Sequence, residues 1–121
     1  MKTNYESLPV AARLDGIDIR RCPMGDDMIL TLEESHKPTD YGDMFKNCKD
    51  GMCQVRHWIY VIRGKICVDY TDGSSETLHQ GDIGYLPPGH HPRYLKPGLA
   101  AVFSPASELL VEREKFTFLE H

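Results

Sequence analysis

Between Gly16 and Ser104 the chain is cut at short intervals by residues that end a strand, and this punctuation constrains the fold more than any other feature. "GIDIRR" (16–21) and "MILTLEE" (28–34) are parted by "CPMGDD", whose Pro and Gly break the apolar pattern. Further on, "CQVRHWIYVI" (53–62), "ICVDY" (66–70), "ETLH" (76–79), "IGYLP" (83–87), "RYL" (93–95) and "AAVFS" (100–104) are separated by "RGK", "TDGS", Gly81-Asp82, "PGHHP" and a Pro-Gly turn at 97–98. The Asp72-Gly73 pair is the strongest local hairpin signal among them, because both residues tolerate the left-handed backbone that a tight turn needs. Short runs spaced in this way predict an all-β sandwich or barrel, with antiparallel strands.

Two segments depart from the ladder. "SHKPTDYGDMFKNCKDGM" (35–52) is polar and long for a connection in a small domain, as binding loops and lids tend to be, and Tyr41 and Phe45 on it are candidates to touch a ligand. After the last strand, "SPASELLVEREKF" turns to helical chemistry: Ser104 can cap, Pro105 suits the first position, and Glu108 falls near the positive end of the dipole. A short C-terminal helix is predicted to lie on the outside of the barrel through Leu109 and Leu110.

At 121 residues and 40% hydrophobic composition the chain suits one domain, read as 1–118. The terminal "LEH" at 119–121 reads as an expression-tag remnant, so His121 is left out of the chemistry. A net charge of −4 with scattered basic residues leaves no footprint for nucleic acid or for an anionic membrane surface. No apolar run approaches the roughly 18 residues of a membrane span, and the N-terminus lacks the apolar core of a signal peptide, so a cytoplasmic protein is expected. In that compartment Cys22, Cys48, Cys53 and Cys67 are expected to be thiols rather than disulfide partners.

The strand that opens at His57 is apolar on both faces. Alternation sets His57, Ile59 and Val61 on one side and Trp58, Tyr60 and Ile62 on the other. If the first set faces the core, the second is left for a partner, and a homodimer is the natural use of it. His57 itself is out of keeping with the strand it begins, since a buried imidazole needs partners.

The spacing around His57 carries a family likeness. "CQVRHWIYVIRG", followed by "GDIGYLPPGHHP", resembles the two conserved signatures of the cupin superfamily, over roughly residues 16–105. Gly81, Pro87 and Gly89 match the second signature, and Gly64 matches the final glycine of the first. The resemblance implies a cupin-type antiparallel β-barrel or jelly roll with a short C-terminal helix, in a small single-domain cupin. It further implies a metal site inside the barrel, which the family usually builds from three His and one Glu around Fe, Mn, Ni, Cu or Zn.

This chain departs from that ligand set. His57 stands where the family usually has Glu, Cys53 where it has its second His, and Gly51 at the first His; Pro92 takes the place of the last His. His90 and His91 stand just before it; strand parity favours His90, whereas a bulge at Pro92 would favour His91. The implied ligands are therefore Cys53, His57 and His90, with His91 held in reserve. Thiolate and imidazole suit Zn²⁺ best among divalent transition metals, with Fe, Mn or Ni as alternatives, and three protein ligands leave a position open. Without metal, His57 is a hydrogen-bonded core residue closing an apolar pocket. Three classes of function stay open: a metal-dependent enzyme acting on a small organic molecule, a non-catalytic binding or sensing barrel, and a structural protein whose exposed strand serves dimerisation.

Overall fold

A computed structural model describes residues 1–117, so the reading of 119–121 as a tag remnant lies outside the described residues. Eight strands and one short helix follow in the order β1 (Val10–Leu14), β2 (Ile17–Pro23), β3 (Met28–Ser35), β4 (Thr39–Asp40), β5 (His57–Tyr70), β6 (Ser75–His79), β7 (Ile83–Leu86), β8 (His90–Pro105) and α1 (Ala106–Glu112). Strand neighbours run β1-β2-β3-β8-β5-β6, with β4 on β8 and β7 on β5. All of these pairings are antiparallel. β1 and β6 end the order without joining, so the sheet is folded over itself as a jelly roll rather than closed as a barrel.

The folding-over is done by β5 and β8, which serve both layers. The first part of β5 pairs with β7 and with Ala100–Phe103 of β8, whereas its second part pairs with β6 and with the start of β8. "RGK" and Pro97-Gly98, expected as turns between separate strands, are instead bends within these two long strands. At the bend the register slips near Arg63 and Lys65. Buried positions on β5 accordingly change from Ile59 and Val61 to Ile66 and Val68, a switch from odd to even numbers that only an extra residue in the strand permits. Gly64 supplies it, with φ of +95°. A Cβ there would come within 2.8 Å of the Gly98 Cα and the Pro97 oxygen. The two strands can cross this closely only because both positions are glycine.

The inward faces build one core of aliphatic and aromatic side chains, among them Ile17, Ile19, Val55, Ile59, Val61, Ile66, Val68, Tyr94, Ala100 and Val102. Leu30 and Leu32, on the opposite face of β3, are covered by Leu8 and Tyr5 of the N-terminal segment. β1 and β4 were not foreseen from the sequence, and the expected strand over 53–62 begins only at His57. The long loop holds two short 3-10 turns, Gly42–Phe45 and Lys49–Gly51, and folds Tyr41, Met44 and Phe45 into the core.

The helix corrects two expectations. Ser104 does not cap it: Pro105 stands at the cap without a side-chain bond, and the Asp27 carboxylate accepts from the Ser107 N–H at 2.9 Å instead. Leu109 reaches into the core beside Phe116, whereas Leu110 is exposed, so α1 packs through Leu109 without Leu110.

Candidate metal and ligand site

The site begins with a backbone clamp between the two signature segments. The Cys53 N–H donates to the His90 carbonyl at 2.9 Å, and the Cys53 carbonyl accepts from the Gly89 and His90 N–H groups at 2.8 and 3.2 Å. Gly89, with φ of +87°, makes the bend that allows this. Cys53 thus arrives beside His90 without belonging to a regular strand. His57, first residue of β5, turns inward with Ile59 and Val61, as the alternation required.

One ligand atom from each of Cys53, His57 and His90 lies within 4.8 Å of the others. Cys53 Sγ and His57 Nε2 are 3.6 Å apart, and the two imidazole centroids are 4.8 Å apart. His90 Nδ1 lies 2.6 Å from the Pro87 carbonyl, which can only accept, so Nδ1 carries the proton and Nε2 a lone pair. That Nε2 is buried and has no hydrogen-bond partner among the described residues. His57 Nδ1 is 2.6 Å from the Ser104 hydroxyl; with Nδ1–H donating there, Nε2 keeps its lone pair toward the Cys53 thiol. Burial keeps both rings neutral: it pushes His90 down to about 4 and, together with His90 and Arg21, holds His57 well below the ordinary histidine value. Burial also raises the Cys53 thiol far above its usual range, so in the absence of a cation it stays protonated.

His91 is turned away from this group. Its Nε2 is 2.9 Å from Asp40 Oδ1 at the β4–β8 pairing, and its ring meets Phe45 edge-on. Pro92 shares the inward side with His90 and lines the cavity, in keeping with the parity that favoured His90.

The cluster forms part of the wall of an internal cavity. Its empty space, counted out to the opening, is about 570 Å³. Ile59, Ile66, Leu86, Val102, Leu109 and Phe116 make the apolar part of the wall. Tyr41 and Phe45 line it too, as the composition of the long loop suggested.

Four polar residues of the wall were missed in the sequence: Arg21, Thr31, Glu33 and Ser104. Arg21 continues the inward face of Ile17 and Ile19 on β2, and it pairs with Thr31 across the ladder. Glu33 accepts from the Tyr41 hydroxyl at 2.7 Å, and burial raises its carboxyl above the ordinary value. In the sequence Arg21 and Glu33 belong to the runs "IRRC" and "LEES", where each stands beside a like charge. Only the register between β2 and β3 reveals which of each charged pair faces in.

A second group, Asp18, Glu34 and His36, is more open to solvent and occupied by its own contacts. His36 Nε2 is 3.0 Å from Asp18, and Glu34 accepts from Arg63 at 2.6 Å and from the Tyr5 hydroxyl.

No family model and no curated protein sequence matches the chain. Solved structures do. An RmlC-like cupin from Shewanella frigidimarina matches at 21% identity over 89% of this chain and 93% of that one, with a TM-score of 0.65. KdgF from a Halomonas species matches at 17% identity over 87% and 93% of the two chains, with a TM-score of 0.64. The polyketide cyclase RemF from Streptomyces resistomycificus matches at 18% identity over 88% and 80%, with a TM-score of 0.60. At such identities the likeness carries the fold, and the expectation raised by Gly64, Gly81, Pro87 and Gly89 is met: the chain has the cupin fold.

Proposed function

We propose that this cupin-fold chain holds one divalent transition metal, zinc by preference, on Cys53, His57 and His90, and binds a small organic ligand beside it. The observation that carries the reading is the buried, unpartnered Nε2 of His90, whose other nitrogen is already committed to Pro87. A buried polar atom left unpaired costs about 1–3 kcal/mol, and a cation shared with the two neighbouring ligands removes that cost. The spacing supports it as well. An ion about 2.0 Å from nitrogen and about 2.3 Å from sulfur would hold the two roughly 3.5 Å apart, close to the 3.6 Å between His57 Nε2 and Cys53 Sγ.

When bound, such an ion supplies a Lewis acid that polarises a ligand oxygen or acidifies a bound water. The remaining work falls to the chain. The Pro87 carbonyl fixes the orientation and tautomer of His90, and the Ser104 hydroxyl holds the orientation of His57, as outer partners of metal-bound histidines do. Cys53 must give up its proton to bind, so affinity rises with pH. Leu86, Val102 and Phe116 limit the water around the reacting end of a ligand.

Elemental analysis of protein lacking residues 119–121 tests the reading. The native sequence should carry about one zinc per chain, and His57→Ala should lose it while keeping its circular dichroism. Metal-free protein in both cases would leave a binding barrel in which His57 serves only Ser104 and Cys53.

A further inference from the structure

Among the described residues Arg21 is the one cationic side chain in the cavity wall. Its Nε is buried with no hydrogen-bond partner among those residues. Glu33 lines the same wall and attracts it electrostatically, yet Glu33 takes its hydrogen bond from Tyr41. Arg113 adds a second positive charge near Arg21, while Cys53 and His57 lie within its electrostatic reach. Arg21 also borders the outer groove between β2 and α1, alongside Met28, Ala106, Leu110 and Arg113, so it stands where the interior meets solvent. A guanidinium has five N–H donors in a planar fork, and desolvating them without an acceptor is costly.

We infer that Arg21 is the receptor for a short-chain carboxylate ligand, whose carboxylate pairs with the guanidinium while its other end reaches toward Cys53, His57 and His90. This rests on the reading of the cavity as a small-ligand site. Shape decides the class of anion. The fork matches a carboxylate with two parallel hydrogen bonds. The rest of the wall, Ile59, Leu86 and Val102, suits a short aliphatic stem. Glu33 then discriminates: its carboxyl, held to Tyr41, disfavours a second anionic group at that side of the cavity.

Fluorine NMR with fluoroacetate and its neutral isostere fluoroacetamide tests the assignment on the full chain, with zinc content measured on the same samples. Fluoroacetate should bind the native protein. Arg21→Gln should weaken it by about tenfold or more, Arg21→Lys should weaken it less, and fluoroacetamide should be indifferent to both. The Arg21 Nε–H resonance of the native protein should shift with fluoroacetate and stay in place with fluoroacetamide, a readout that does not depend on a variant folding. Fluoroacetate failing to bind, binding equally to Arg21→Gln, or leaving that resonance unmoved would overturn the inference, as would preferential binding of inorganic phosphate. Arg21-dependent binding in samples free of zinc would sink the metal reading and leave this one standing. Zinc-loaded protein blind to fluoroacetate would do the reverse.

Discussion

The two imidazoles of the cluster differ in what their outer nitrogens meet, and that difference organises the site. His90 is tied to a backbone carbonyl and has nothing on Nε2; His57 sits between the Ser104 hydroxyl and the Cys53 thiol. The first arrangement lacks a partner that the second has. Glu33 shows the same tension in a carboxyl group. Burial raises its pKa above the ordinary 4.5, with the Tyr41 hydrogen bond and Arg21 opposing. Between those two values the folded state keeps a proton that the unfolded chain has released, so this contribution is whole below the ordinary value and is lost as pH rises through the raised one. Glu33→Gln removes that loss. Urea unfolding of metal-free protein should therefore show the variant gaining on the native chain as pH rises above 4.5; a gap that stays constant would mean that Glu33 titrates normally. Much of the site at this scale could be read from the chain. Cys53, His57 and His90 were reachable through the resemblance that Gly64 and Gly89 help to carry, and the structure brings one ligand atom of each within 4.8 Å of the others. Arg21 and Glu33 could not be read, since each is one of two adjacent like charges, Arg20-Arg21 and Glu33-Glu34, and only pairing across the sheet tells inside from outside.

At the scale of elements, the sequence predicted strands where apolar alternation was clear and erred where a glycine bends a strand without ending it. "RGK" has the composition of a turn, yet β5 runs through it with a shifted register, and the same holds for Pro97-Gly98 in β8. Such bends need a partner across the sheet to be recognised, for it is the contact of Gly64 with Gly98 that makes both glycines necessary. Ser104 was read as a helix cap for a related reason: its local context suits one, and the competing partner, His57, is 47 residues away. The bend gives a quantitative expectation. Gly64→Ala combines a left-handed backbone with a backbone clash at 2.8 Å, whereas Gly73→Ala, at φ of +86° in the β5–β6 turn, meets nothing within 4 Å. Denaturant titration should place the second loss near 1 kcal/mol and the first above about 2 kcal/mol. Equal losses would mean that the crossing of β5 and β8 is looser than described.

For the whole molecule, the unresolved feature is the outer face of the β5–β7 pair. Trp58 lies opposite Tyr85 and Tyr60 opposite Ile83, and with Ile62 they make a contiguous apolar strip on which Ile83 is 81% exposed. A second copy of the chain is the proposed cover, because a patch of this kind is uncommon on a small monomer. Sedimentation should find a dimer that Tyr60→Arg converts to monomer with the fold retained; a monomeric native chain at micromolar concentration would contradict it. Among the described residues no helix is long and apolar enough to cross a membrane. The jelly roll itself explains why the site lies where it does. β5 and β8 are the two strands shared by both layers, His57 and His90 open them, and Cys53 is clamped across their ends by the Gly89 bend. The central claim, that this convergence is a metal centre with one thiolate and two imidazoles, is tested most directly by titrating metal-free protein with Co²⁺ and recording its absorption spectrum. A metal centre of this kind should give the strong visible bands of a four-coordinate site together with a near-ultraviolet thiolate-to-cobalt band that disappears in Cys53→Ser; a weak spectrum like that of the hydrated ion, unchanged by Cys53→Ser, would rule it out.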